Sequence, residues 1–358
     1  MSNIHEKIAR HNAFWQKEKV DRPMIGFQIG NDFFADRYKA AQRLMIPGKE
    51  VKPSDINVDD FLDDYERLYQ QSKPVEQDSF WTACPFITIP WFEAILGCRI
   101  IAHKSTMTSE PYLTDLKHLN EIHVNHIWLD KYLEFIEKLV RLAQGRFPVG
   151  QPIIRGLSDL MGALRGQSEF VIDFFDTPKE AINLLEKIKD TLLLLFSEQQ
   201  KKLPEFHGGY SVSLFDLWAP GKCFYIQEDL SSLLSPDIFR KYFLNLDKII
   251  CEDQNYDYCT FHIHSVSFFI LDDLLKIDAI KVFEITKDVG GLSIKEMLPQ
   301  LKKILVNKRL ILWGDLDQED LEIILENLTY DGLYLHILNE SVSNTRSLLN
   351  YIKEKTGK

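Results

Sequence analysis

The apolar positions of this chain change period from one segment to the next. Short runs rich in β-branched and aromatic residues alternate with longer stretches whose apolar residues recur every three or four positions. Those are the spacings of a strand and of an amphipathic helix. The pattern predicts strands at residues 23–30, 80–89, 147–154, 210–214, 258–262, 280–285, 309–313 and 332–337. It predicts helices at residues 58–72, 126–144, 178–203, 235–254, 268–275, 293–306, 318–327 and 341–355. Asp176-Thr177-Pro178 and Ser235-Pro236-Asp237 are start signals, because proline fits the first helical turn and a short polar side chain caps it.

After residue 258 strand and helix alternate four times, which favours a parallel sheet covered by helices. With about eight strands in all, the expected fold is α/β: a single (β/α)8 TIM barrel over residues 1–358, with an irregular, helix-rich insertion after the first strand. An open doubly wound sheet is the alternative. No glycine-rich nucleotide-binding motif accompanies it.

Composition narrows the partners. The chain has 358 residues, 45% hydrophobic and 27% charged, with a net charge of −11. The acidic balance argues against nucleic acid and against an anionic membrane surface. Five cysteines, at 84, 98, 223, 251 and 259, form no CxxC pair and predict reduced thiols. The polar stretch at residues 1–22 has no signal-peptide core, and no apolar run is long enough to span a membrane. A cytoplasmic protein acting on a small molecule is the expectation.

In a barrel the chemistry gathers where strands end. The run Cys259-Thr260-Phe261-His262-Ile263-His264-Ser265 places His262 and His264 on one face of a strand, a plausible half of a metal site. His336 and Glu284, at the ends of other strands, are the candidate third ligands. Structural hydrogen bonding is the plainer role for each histidine. Glu284, among Val282, Phe283 and Ile285, also suits proton transfer if burial raises its pKa; a salt bridge is the alternative. Asp315 fits either an acid/base group or the cap of the helix beginning near Gln318. Asp216, Trp218 and Trp313 suit a pocket with a polar anchor and aromatic walls, and Arg155 suits an anion or an internal ion pair. Glu228-Asp229, ahead of Ser231-Ser232, reads as a turn or cap.

Residues 154–166, Phe215-Asp216-Leu217-Trp218-Ala219, residues 235–244 and the stretch 261–284 together resemble the uroporphyrinogen decarboxylase superfamily, which also contains corrinoid-dependent methyltransferases. The resemblance covers most of the chain and implies a (β/α)8 barrel. The decarboxylase branch carries an arginine-rich motif after the first strand, where this chain reads Phe27-Gln28-Ile29-Gly30. The methyltransferase branch holds zinc with an HxC pair and a second cysteine near the last strand. His262 matches that histidine, His264 stands in place of the first cysteine, and His336 lies near the second. The resemblance therefore implies a methyltransferase-like enzyme, with zinc and with a corrinoid presented by a partner protein. A cofactor-free decarboxylase or lyase, and a non-catalytic ligand-binding barrel, are the rival readings.

Overall fold

Six parallel strands carry the core: β1 (Met24–Ile29), β2 (Cys223–Gln227), β3 (Tyr258–His264), β4 (Ile280–Lys287), β5 (Arg309–Gly314) and β6 (Leu333–Asn339). The computed structural model describes residues 3–30, 35–117, 122–253 and 255–357. The strands lie in the order β1-β6-β5-β4-β3-β2, every neighbouring pair parallel. Their residues are almost continuously buried because both faces are covered, as parallel sheets require. Helices Ile294–Asn307 and Gln318–Asn327 connect β4 to β5 and β5 to β6. Ser293 and Asp317 start these helices with capping boxes, closed by Glu296 and Asp320. The cap of the second helix is thus Asp317 and not Asp315.

The two edge strands are linked through irregular chain. Ile25 in β1 accepts a hydrogen bond from the Asp78 amide. Isolated parallel bridges then join Ala83 to Val149, Gln151 to Val212, and Arg155 to Gln227 in β2. The strands predicted at residues 80–89 and 147–154 are reduced to these single bridges. Pro85, Pro148 and Pro152 remove amide donors that a regular ladder would need. The run at residues 210–214 forms instead a short antiparallel pair, Tyr210–Val212 with Leu217–Ala219. Strand β2 was not predicted: its five residues begin one residue after the Ala219-Pro220-Gly221 turn and are all buried.

The insertion after β1 holds helix Asp59–Ser72 and a small antiparallel sheet of Glu50–Val51, Arg99–Ala102 and Met107–Glu110. It docks through an aromatic cluster. Helix His126–Ala143 buries Trp128, Leu129, Tyr132, Phe135, Ile136 and Leu139 at helical spacing. Phe135 packs against Phe61, Tyr65 and Trp91, with ring centroids 5.4–6.1 Å apart. Each fully buried aromatic or aliphatic side chain contributes about 1.5–3 kcal/mol, so this helix fastens the insertion to the body. The predicted helix at residues 235–254 contains a π-helical turn, Phe239–Phe243, before Leu244–Cys251. Its expected end at Gln254 lies outside the described residues. Among the described residues no helix is long and apolar enough to cross a membrane.

Candidate metal centre

Register brings the chemistry together. His262 lies opposite Glu284 and Gln227, and His264 opposite Thr286, so residues from β2, β3 and β4 face the same space. Two residues beyond the end of β2, after Glu228, Asp229 turns its carboxylate toward both histidines. Asp229 Oδ1 is 3.1 Å from His262 Nε2 and 3.5 Å from His264 Nε2. The two rings stand edge to face with centroids 4.6 Å apart. Asp229, His262 and His264 each offer one ligand atom, all within 4.8 Å of one another, and together they could hold a metal ion.

Each of the three is oriented from behind. His262 Nδ1 donates to Glu284 Oε2, and His264 Nδ1 is 2.8 Å from Asp288 Oδ1. Asp229 Oδ2 accepts from Gln227 Nε2 at 2.7 Å, and Gln227 Oε1 accepts from Tyr225 Oη at 2.7 Å. Carboxylates on the far nitrogen of a histidine are the usual support for a metal-ligating imidazole, because they fix its tautomer and raise its basicity. With both Nδ1 atoms tied to carboxylates, both Nε2 atoms point at Asp229 Oδ1. The 3.1 Å distance alone would allow an ion pair there. Yet this buried oxygen accepts no aligned hydrogen bond, and alignment is the stricter criterion. Two imidazole nitrogens converging on one buried carboxylate oxygen, with no aligned hydrogen bond between them, is an arrangement that a cation would satisfy. The donor set, two nitrogens and one oxygen, suits zinc and other first-row divalent ions and leaves positions open for substrate.

The electrostatics are dominated by the same groups. Burial opposes charge on Asp229, but His262 and then His264 overcome it and hold the carboxyl well below the usual range. Burial likewise opposes charge on His262, and Glu284 with Asp229 reverses this, leaving its pKa well above normal. His264, less enclosed, is raised against its burial to about 9 by Asp229 and Asp288. Without a metal, then, both imidazoles hold protons that an incoming cation must displace.

The loop carrying Asp229 is pinned from beneath. Glu228 is fully buried and accepts from the amides of Leu157 and Ser158, the first residues of helix Leu157–Arg165. This anchors a carboxylate at the positive end of the helix. Asp159, in the same first turn, accepts from the amides of Asp229 and Leu230. Only glycine fits at 156: a Cβ there would lie 1.9 Å from the Gln227 carbonyl oxygen. Asp229 also borders an open cavity of about 440 Å³ whose wall includes Arg155 and Asp159.

The other expected site residues are dispersed. Arg155 pairs with Glu93 at 3.0 Å. His336 lies outside the cluster, stacked on Tyr334 at 5.6 Å. Asp216 is buried and accepts from the Thr82 amide at 2.8 Å. Trp218 is buried and donates to the Phe206 carbonyl, away from the histidines. Trp313 donates to Gln28. Asp315 is exposed, and its carbonyl accepts from Lys287 Nζ. Asp229 is the member that sequence reading missed. Its one signal is position, since it follows the end of an unrecognised buried strand.

No family model matches the chain, and no curated protein matches it. Among solved structures it is similar to a methyltransferase from Methanosarcina mazei, at 14% identity over 98% of both chains with a TM-score of 0.63. At that identity the likeness is one of fold, and the chain has the α/β architecture of that methyltransferase.

Proposed function

We propose that this protein is a metal-dependent, methyltransferase-like enzyme of the uroporphyrinogen decarboxylase superfamily, and that Asp229, His262 and His264 are its metal ligands. The observation that carries the reading is the convergence of two Nε2 atoms on one buried carboxylate oxygen that accepts no aligned hydrogen bond, each imidazole being backed by a carboxylate. The architectural likeness to a methyltransferase over nearly the whole chain supports the reaction class. In this reading the six strands, with the irregular segments around residues 78–83 and 149–155, form the eight staves of a barrel, and the ligands sit at its C-terminal mouth.

A bound divalent ion would supply Lewis acidity, lowering the pKa of an acceptor thiol or water. The chain's own residues do the rest. Glu284 and Asp288 keep the Nε2 lone pairs directed inward. Gln227 and Tyr225 fix the Asp229 carboxylate. The cavity beside Asp229 admits a small substrate, and Arg155 on its wall offers a cation to an anionic group. Zinc is the ion expected from the resemblance, and a corrinoid-carrying protein the expected methyl donor or acceptor.

The test is metal content. The purified protein should bind about one divalent ion per chain, and His262→Ala with His264→Ala should abolish binding. Wild-type protein that takes up no zinc, cobalt or iron(II) would overturn the proposal. Methyl transfer is tested separately, by following a methylated corrinoid spectroscopically in the presence of a thiol acceptor.

A further inference from the structure

We propose that the cavity between Asp216 and His336 is a second binding site, separate from the metal ligands, for a small uncharged ligand with a flat apolar body and an amide-like edge. The cavity measures about 460 Å³ and opens beside the C-terminal ends of β1 and β6. That size is within the range of small-molecule pockets.

His336 carries the argument. It is 1% exposed and forms part of the cavity wall. Among the described residues neither of its ring nitrogens has a hydrogen-bond partner. A buried imidazole with both nitrogens idle is destabilised at each unsatisfied group unless something supplies the partners. Burial also lowers its pKa, to about 3, so the ring is neutral and presents one N–H donor and one lone pair. A primary amide presents the complementary pair.

The remaining wall sets size and charge. Phe27, Val75, Trp81 and Leu214 give apolar surface for a planar body. Arg37 and Glu340 line the cavity with opposite charges, and burial raises the Asp216 carboxyl to about 8, so neither sign of charge is favoured overall. An anion would have to pass Glu340, and a cation would have to settle by Arg37. An uncharged polar ligand meets neither obstacle.

The site is distinct from the metal ligands, none of which lines this cavity. Phe215 and Tyr225 stand in succession between them. The Phe215 ring is 6.1 Å from His336 and 5.5 Å from Tyr225, which is 6.3 Å from His262. The proposal therefore does not depend on the metal reading.

The experiment uses benzamide, benzoate and benzylamine as probes in ligand-observed NMR and calorimetry on the full chain. Benzamide should bind wild-type protein about tenfold more tightly than either charged analogue. His336→Phe, which keeps the ring and removes both nitrogens, should lose benzamide binding by a similar factor. Gln71→Trp, at the exposed rim of the cavity, should block entry without disturbing the core, which keeps the test valid if His336→Phe does not fold. His264→Ala should abolish metal uptake and leave benzamide binding intact, so failure of the metal reading and failure of this one are told apart. No benzamide binding to wild type, preference for a charged analogue, or undiminished binding by both cavity variants would each overturn the proposal.

Discussion

His262 and Glu284 face each other in register on adjacent strands, and the Nδ1–H of one donates to the carboxylate of the other at a site closed to solvent. Thr286 donates to the second oxygen of Glu284 at 3.1 Å. This places Glu284 behind the imidazole rather than in front of substrate. Glu284→Gln should leave the fold intact and lower divalent-metal affinity about 10–100-fold, the usual effect of losing such a support. Chelator competition measures it, and an unchanged affinity would remove Glu284 from the site.

Asp216 gives a pH signature. It is buried in a left-handed conformation, φ 50°, and burial pushes its carboxyl from the ordinary 3.8 up to about 8, against the opposing pull of the Thr82 amide. The folded protein therefore holds this proton more tightly than the unfolded chain. The stabilisation is complete below pH 3.8 and is lost as pH rises through about 8. Asp216→Asn keeps an acceptor for Thr82 and cannot ionise. In urea unfolding, wild-type stability should fall more steeply than that of the variant between about pH 5 and pH 8.5. Parallel profiles would show that another group controls this range.

Gly156 is a steric test of the loop beneath the metal ligands. An alanine methyl there would meet the Gln227 carbonyl oxygen and, at 2.2 Å, Glu228 Oε1. Gly156→Ala should cost about 1–3 kcal/mol by overpacking and should weaken metal binding as well, because Asp229 follows Glu228 directly. A variant that melts like wild type would mean that the loop yields more readily than its hydrogen bonds suggest.

Arg22 and Asp78 form a buried two-pronged ion pair, at 2.6 and 2.9 Å, and Asp78 also accepts from the Ile25 amide at 2.9 Å. The pair ties β1 to the irregular segment beside it. Asp78→Ala strands the guanidinium and should destabilise the protein by about 3–5 kcal/mol, with the double variant Arg22→Met, Asp78→Ala recovering part of the loss. Denaturant titration of both reads this out.

The regular half of the molecule was legible in the sequence because β3 to β6 and their helices obey clean periods. Ser293 and Asp317 announce two of those helices. The first half was less legible for a definable reason: prolines at 85, 148 and 152 leave extended chain that pairs through single bridges, which no period betrays. The HxH pair was visible as two residues on one face, and Glu284 as a neighbour in register. Asp229 was not, because β2 is only five residues long and begins one residue after a turn. With that strand unrecognised, Glu228-Asp229 read as a turn. His336 drew attention as a third histidine at a strand end. Position along a strand, however, does not say which neighbours the ring meets across an intervening Trp313 and Thr286.

Gln227, Glu228 and Asp229 occupy consecutive positions and leave no interchangeable one among them. The first steers, the second moors the chain to a helix, and the third faces the imidazoles. Losing one residue ahead of the triplet would moor Asp229 in place of Glu228 and leave Leu230 facing the histidines, and gaining one would moor the amide and present Glu228 instead. A homologue could thus keep every side chain of the centre and still lose it through a single-residue change in length, so counting matching residues is a poor guide to which relatives share it. The spacing from the end of β2 is the feature to compare.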